Sequence, residues 1–168
     1  FIDTMYERFG NEIYGENDIS MERVVVESCI KSRKKIAVAE SCTGGLIGDR
    51  ITNISGSSEI FTGGVIVYSN DSKVKILGLG NEDLNIFGAV SKYTATKMAE
   101  NVKTIFNSSF GLSVTGIAGP NGGTKEKPVG LVYIGLASDK NTIVEKYNFG
   151  KDRESVSYTH LRAHETAT

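Results

Sequence analysis

The chain has 168 residues, 39% of them apolar and 23% charged, with a formal net charge of −1 and a pI near 6.2. That length suits one domain with one core, and the balance excludes wholesale disorder. It also lacks the basic excess of a nucleic-acid footprint, and no apolar run approaches the ~18 residues of a membrane-crossing helix.

Cysteine and histidine usage narrows the chemistry further. Cys29 and Cys42 are the only cysteines. They are too few for a disulfide framework or a Cys-rich zinc site, so a reducing cytoplasm is the expected compartment. The N-terminus is polar and lacks a basic n-region, so no signal peptide is expected. The only histidines are His160 and His164. A His-based triad and His-ligated metals are therefore not expected in the body of the chain, and any general base must be Lys, Tyr, Asp or Glu. No metal or organic cofactor is expected.

Residues 1–18 read as a linker remnant from a preceding domain, and a chain opening on Phe1 is expected to be a fragment or processed product. A helix is predicted from Ser20 as its N-cap. Val24, Val25, Cys29 and Ile30 form its apolar stripe, and Lys31, Arg33, Lys34 and Lys35 sit where they complement the helix dipole. Ile36-Ala37-Val38-Ala39 suits a buried strand. After Ser41-Cys42-Thr43-Gly44-Gly45, helical spacing resumes through Leu46, Ile47, Arg50, Ile51 and Ile54, until Ser55-Gly56-Ser57-Ser58 breaks it. Gly63 to Tyr68 is the next strand, and Ser69 or Asn70 caps a short helix carrying Val74, Ile76 and Leu77. Ser91 caps a long helix reaching about Asn107, with Ala95, Met98, Ala99, Val102, Ile105 and Phe106 on its apolar face. Phe110 to Thr115 is a third strand and Leu131 to Ala137 a fourth. Ile143 to Phe149 alternates as a half-exposed edge strand. Strands alternating with helices predict a three-layer α/β/α sandwich. The direct passage between the last two strands makes them antiparallel and the sheet mixed.

Three loops stand at strand exits. Glu40 to Gly45 is read as a ligand-binding loop, because small residues and glycines let backbone N–H groups approach a ligand. The helix start behind it is expected to offer free N–H donors to a phosphate, carboxylate or oxyanion. Ser41, Cys42 and Thr43 are nucleophile candidates within it, and a plain helix cap is the competing reading. It is not a Walker loop, since no Gly-Lys-Ser/Thr follows. Cys42 is the weaker nucleophile, having no histidine to lower its pKa. In the second loop, Tyr68, Asn70 and Lys73 lie where open α/β sheets hold ligands. A desolvated lysine there can serve a serine as base, although a lone helical lysine is more often a solvated one. The third, residues 116–130, holds five glycines and both prolines, Pro120 and Pro128, and is long for a connector without a function. Parallel strands would bring all three loops to one edge of the sheet.

Val38 to Leu46, Tyr68-Ser69-Asn70 with Lys73, Gly88-Ala89-Val90-Ser91, Thr115 to Pro120 and Lys127 to Gly130 together resemble the CinA C-terminal domain family, over about residues 20–155. The resemblance implies a cytoplasmic nicotinamide-nucleotide amidohydrolase of pyridine nucleotide salvage, often a homodimer. Its substrate would be nicotinamide mononucleotide, and its products nicotinate mononucleotide and ammonia. In longer members the domain follows a molybdopterin-binding-like one. A catalytically silent nucleotide-binding or regulatory module is the alternative.

Mapped onto this chain, the family's pattern makes Ser41 the nucleophile, Lys73 its base and Tyr68 a helper. Cys42, Thr43, Gly44, Gly45 and Asn70 fall at the substrate, and Thr115 and Gly116 line the pocket. Arg153 is a phosphate ligand. The domain is assigned to residues 19–155. The polar tail 156–168 departs from the family's apolar C-terminal helix and is expected to be non-native.

Overall fold

The computed structural model describes residues 19–149. Helix α1 spans Met21–Ser32, strand β1 Ile36–Glu40 and helix α2 Leu46–Thr52. A 3-10 turn at Ser57–Glu59 leads into β2, Phe61–Ile66. Three helices follow: α3 Asn70–Leu77, α4 Asn81–Phe87 and α5 Lys92–Ile105. Strands β3 Phe110–Gly116, β4 Leu131–Ala137 and β5 Thr142–Asn148 complete the order. The linker assigned to residues 1–18, Arg153 and the tail from 156 lie outside the described residues.

One sheet runs in the order β2-β1-β3-β4-β5. β1 is parallel to both β2 and β3, while β4 is antiparallel to β3 and β5 to β4. The sheet is mixed as expected, and its first antiparallel step already falls at β3–β4. The exits of β1, β2 and β3 therefore share one edge.

Alternation along β1 sorts its side chains between two cores. Ile36 and Val38 join Val26, Cys29, Ile47 and Ile51 of α1 and α2. Ala37 and Ala39 join Leu77, Leu84, Met98 and Val102 of α3, α4 and α5. Helices thus cover both faces, which is why all five β1 residues are buried. Helix α5 sits very close to the sheet. A Cβ on Gly111 would stand 2.1 Å from the Ala99 carbonyl oxygen, and Ser113 Oγ donates to the Ala95 carbonyl at 2.6 Å.

Local chemistry accounts for most boundaries. Ser20, Ser69 and Ser91 each accept an N–H from the first turn of their helix, from Arg23, Ser72 and Thr94. Some expectations shift. The apolar face of α1 centres on Val26 and Cys29, and Glu22 is buried beside them. Arg50 of α2 forms an ion pair with Glu22. Burial pushes the Glu22 carboxyl up, but bonds from its own backbone, Ser20 and Arg50 hold it below the ordinary value on balance. Strand β2 runs from Phe61 to Ile66 rather than from Gly63 to Tyr68, and α2 ends at Thr52. Helix α4 is additional, since its seven residues bury only Leu84 and so carry no readable period.

Candidate functional site

Lys73 is the centre of the site. It lies on α3 with its side chain 1% exposed, among the largest fully buried side chains in the described residues. Leu77, one turn later, is buried on the same face. The face is fixed at both ends of α3. The Ser69 cap starts the helix, and Gly78 ends it with φ +68°, its N–H reaching the Lys73 and Val74 carbonyls.

Three acceptors surround the Lys73 amine. Nζ stands 2.7 Å from the Val67 carbonyl oxygen, 3.3 Å from that of Tyr68 and 3.0 Å from Ser41 Oγ. Its hydrogen bonds engage no carboxylate among the described residues. Burial therefore lowers its pKa below the ordinary 10.5, and the nearby Cys42 thiol raises it by a lesser amount. In the neutral amine two hydrogens serve the two carbonyls, which leaves the lone pair for the Ser41 hydroxyl. A base is thereby aimed at an alcohol.

Ser41 is held from its backbone. Its N–H donates to the Val114 carbonyl on β3 at 3.0 Å, and its carbonyl accepts the Gly44 N–H at 3.2 Å. Continuing the β1 alternation, Cys42 falls into the α1–α2 core with Ile36 and Val38, whereas Ser41 meets Lys73 on the other face. The Cys42 thiol is 7% exposed and packed among apolar side chains. The two neighbouring side chains therefore face different sides of the sheet, and of the two it is Ser41 that hydrogen-bonds Lys73.

The α2 N-terminus corrects one expectation. Its donors are not open to a ligand, because Glu40 already occupies them. Glu40 is 1% exposed. Its Oε2 accepts from Thr43 Oγ1 at 2.6 Å, the Gly45 N–H at 3.0 Å and the Ile47 N–H at 3.1 Å, and Oε1 accepts the Gly48 N–H at 2.9 Å. A buried carboxylate needs such donors, and the helix end needs an anion, so each satisfies the other. The signal was legible: a glutamate ended an otherwise apolar buried run directly before a glycine turn.

The remaining sequence-predicted residues divide clearly. Gly44 has φ +65°, and a Cβ there would meet nothing within 4 Å, so it borders open space. Gly45 has φ +109° and gives its N–H to Glu40. Tyr68 contributes its carbonyl to Lys73, while its side chain is 63% exposed. Asn70 is exposed on the first turn of α3. Thr115 is fully buried, and its hydroxyl donates to the Ala89 carbonyl at 2.7 Å, tying the 88–91 turn to β3. Gly116 is packed against β4, where a Cβ would stand 2.7 Å from Val132 Cγ2. Ser41, Lys73 and the Tyr68 backbone therefore converge, whereas the hydroxyls of Thr43 and Thr115 are turned to protein acceptors. Val67, which sequence reasoning did not assign to the site, supplies the shortest bond to the amine.

Among the described residues, no group of three or more His, Cys, Asp or Glu side chains could hold a metal ion, and no helix is long and apolar enough to cross a membrane.

Comparison with known proteins gives the family. The family model for the CinA C-terminal domain matches residues 18–164. A CinA-like protein of Trichormus variabilis is 52% identical over 155 residues, covering 92% of this chain and 37% of the relative. One from Kosmotoga olearia is 49% identical over 150 residues, covering 89% and 36%. The chain thus spans little more than a third of the length of these curated relatives. Among solved structures, the competence/damage inducible protein CihA from Agrobacterium tumefaciens aligns with TM-score 0.83 at 37% identity, covering 87% of this chain and 90% of that one. A CinA superfamily protein from Enterobacter cloacae aligns with TM-score 0.83 at 26% identity, covering 92% and 94%.

Proposed function

The chain belongs to the CinA C-terminal domain family, and from that premise we propose that it is a serine–lysine amidohydrolase acting on nicotinamide mononucleotide. The observation that carries the reading is the buried Lys73 amine, 3.0 Å from Ser41 Oγ and lowered in pKa by desolvation. An amide is a poor electrophile, so its hydrolysis needs a positioned nucleophile, a base for the hydroxyl proton and an acid for the leaving nitrogen. One lysine can serve both proton transfers.

In this mechanism Ser41 Oγ attacks the carboxamide carbon while its proton passes to Lys73 Nζ. The oxyanion that forms is held by loop N–H donors. Gly45, Ile47 and Gly48 are committed to Glu40, and Gly44 to the Ser41 carbonyl. The Leu46 N–H points to the Thr43 carbonyl at 3.4 Å, and the Thr43 N–H, which has no acceptor among the described residues, is the donor assigned to the oxyanion. As the carbon–nitrogen bond breaks, Lys73 returns the proton and ammonia leaves. Water then attacks the ester on Ser41, again with Lys73 as base, releasing the carboxylate and restoring the hydroxyl. On the family pattern alone, the exposed Tyr68 side chain is assigned as a helper of the Ser41–Lys73 pair and Arg153 as a ligand of the substrate phosphate.

Ammonia release from nicotinamide mononucleotide tests the proposal. The wild-type chain is expected to turn over, and Ser41→Ala to lose roughly a thousandfold or more in kcat, as nucleophile deletions do. Binding of the mononucleotide without turnover by the wild type would instead support a silent nucleotide-binding module.

A further inference from the structure

Resting on the hydrolase reading above, we propose that Glu40 is a positioning residue that acts through Ser41. It touches no reacting atom. Its carboxylate folds the Ser41–Gly45 turn from inside and so sets where the nucleophile stands.

Hydrogen bonds run outward from Glu40 in two directions. Its side chain collects donors from the second half of the turn, Thr43 and Gly45, and from the helix behind it, Ile47 and Gly48. Ser41 lies between this anchored segment and β1. The Glu40 carbonyl accepts the Val67 N–H at 2.8 Å, and the Val67 carbonyl in turn accepts from Lys73 Nζ at 2.7 Å. One residue therefore ties the nucleophile's turn through its side chain and the base's acceptor through its backbone. The four side-chain bonds commit the Thr43 hydroxyl and the Gly45, Ile47 and Gly48 N–H groups to Glu40, so these donors are not offered to an incoming anion. An internal anion in place of a bound one makes the turn's shape independent of substrate. Rigid support of this kind matters because small misplacement of a nucleophile is costly in rate.

Glu40→Gln and Thr43→Val test the idea at both ends of one bond. The glutamine oxygen can still take the three donors now on Oε2, but its amide nitrogen then faces the Gly48 N–H. Thr43→Val removes the 2.6 Å bond without touching the buried carboxylate, so it covers the case in which the first variant fails to fold. For Glu40→Gln a kcat loss of about tenfold or more is expected, with KM changed by less than about threefold. For Thr43→Val the expected kcat loss is about threefold to tenfold, and Thr43→Ser is expected to restore the rate to within about twofold. The same order is expected in the rate at which a fluorophosphonate labels Ser41, followed by mass spectrometry on folded protein.

The labelling readout separates the two claims. Labelling that falls in the variants, in a chain that never deamidates the mononucleotide, would sustain the positioning role and sink the substrate assignment. Folded variants that label and turn over at the wild-type rate, losing only thermal stability, would reduce Glu40 to a helix cap and overturn the proposal. A wild-type Ser41 that the reagent does not label would overturn it as well.

Discussion

Lys73→Met is expected to lower turnover of the mononucleotide by roughly a thousandfold or more, within the range for loss of a positioned general base. The same change should barely disturb the fold. Methionine fills a similar volume, and burying it avoids the desolvation cost of an amine that is 1% exposed. Against this gain, the Val67 and Tyr68 carbonyls lose their donor. An unsatisfied buried carbonyl costs about 1–3 kcal/mol. The two effects oppose each other, so a net stability change under about 2 kcal/mol is expected. Kinetics and thermal unfolding of the same variant check both halves. A variant that unfolds while retaining specific activity in its folded fraction would show that Lys73 is structural.

The second large effect is in pH. Because burial lowers the Lys73 pKa, the neutral amine accumulates below the ordinary 10.5 of a lysine. The kcat/KM profile is therefore expected to rise with pH along a single-proton limb whose midpoint lies below that value. Stability should move in the same direction. Between the lowered folded value and 10.5 the unfolded chain binds more protons than the folded one, so stability rises with pH across that window. Below the window the full penalty for burying the charged amine is present. Lys73→Met should abolish the rise, which reaches at most about 1.4 kcal/mol per pH unit. Urea unfolding of both proteins across the window measures the difference. Parallel curves would assign the charge change to another group.

Much of the fold was written in local chemistry. The β1 run was legible because four consecutive apolar residues end in a glycine-rich turn, and the serine caps marked three helix starts. Helix α4 was not legible, since one buried leucine in seven residues leaves no period to detect. For the site, the serine and the lysine each stood out only weakly. Lys73 alone reads as a solvated helix residue. Its burial depends on β1 and β2 lying parallel and adjacent, which brings together residues separated by 32 positions. That Ser41 rather than Cys42 turns toward Lys73 follows only when the strand's alternation is carried past its end. The helix end behind the glycine turn departs from expectation for a different reason. Its pattern is that of an anion cradle, and the chain supplies the anion itself from the preceding residue, Glu40.

In the proposed mechanism Ser41 Oγ takes the acyl group. Turnover of nicotinamide mononucleotide quenched in acid, followed by peptide mass spectrometry, reads that atom directly. The expected result is the mass of the substrate less ammonia on the peptide, localised to Ser41. The adduct on Cys42, or steady turnover with no protein adduct at all, would contradict it.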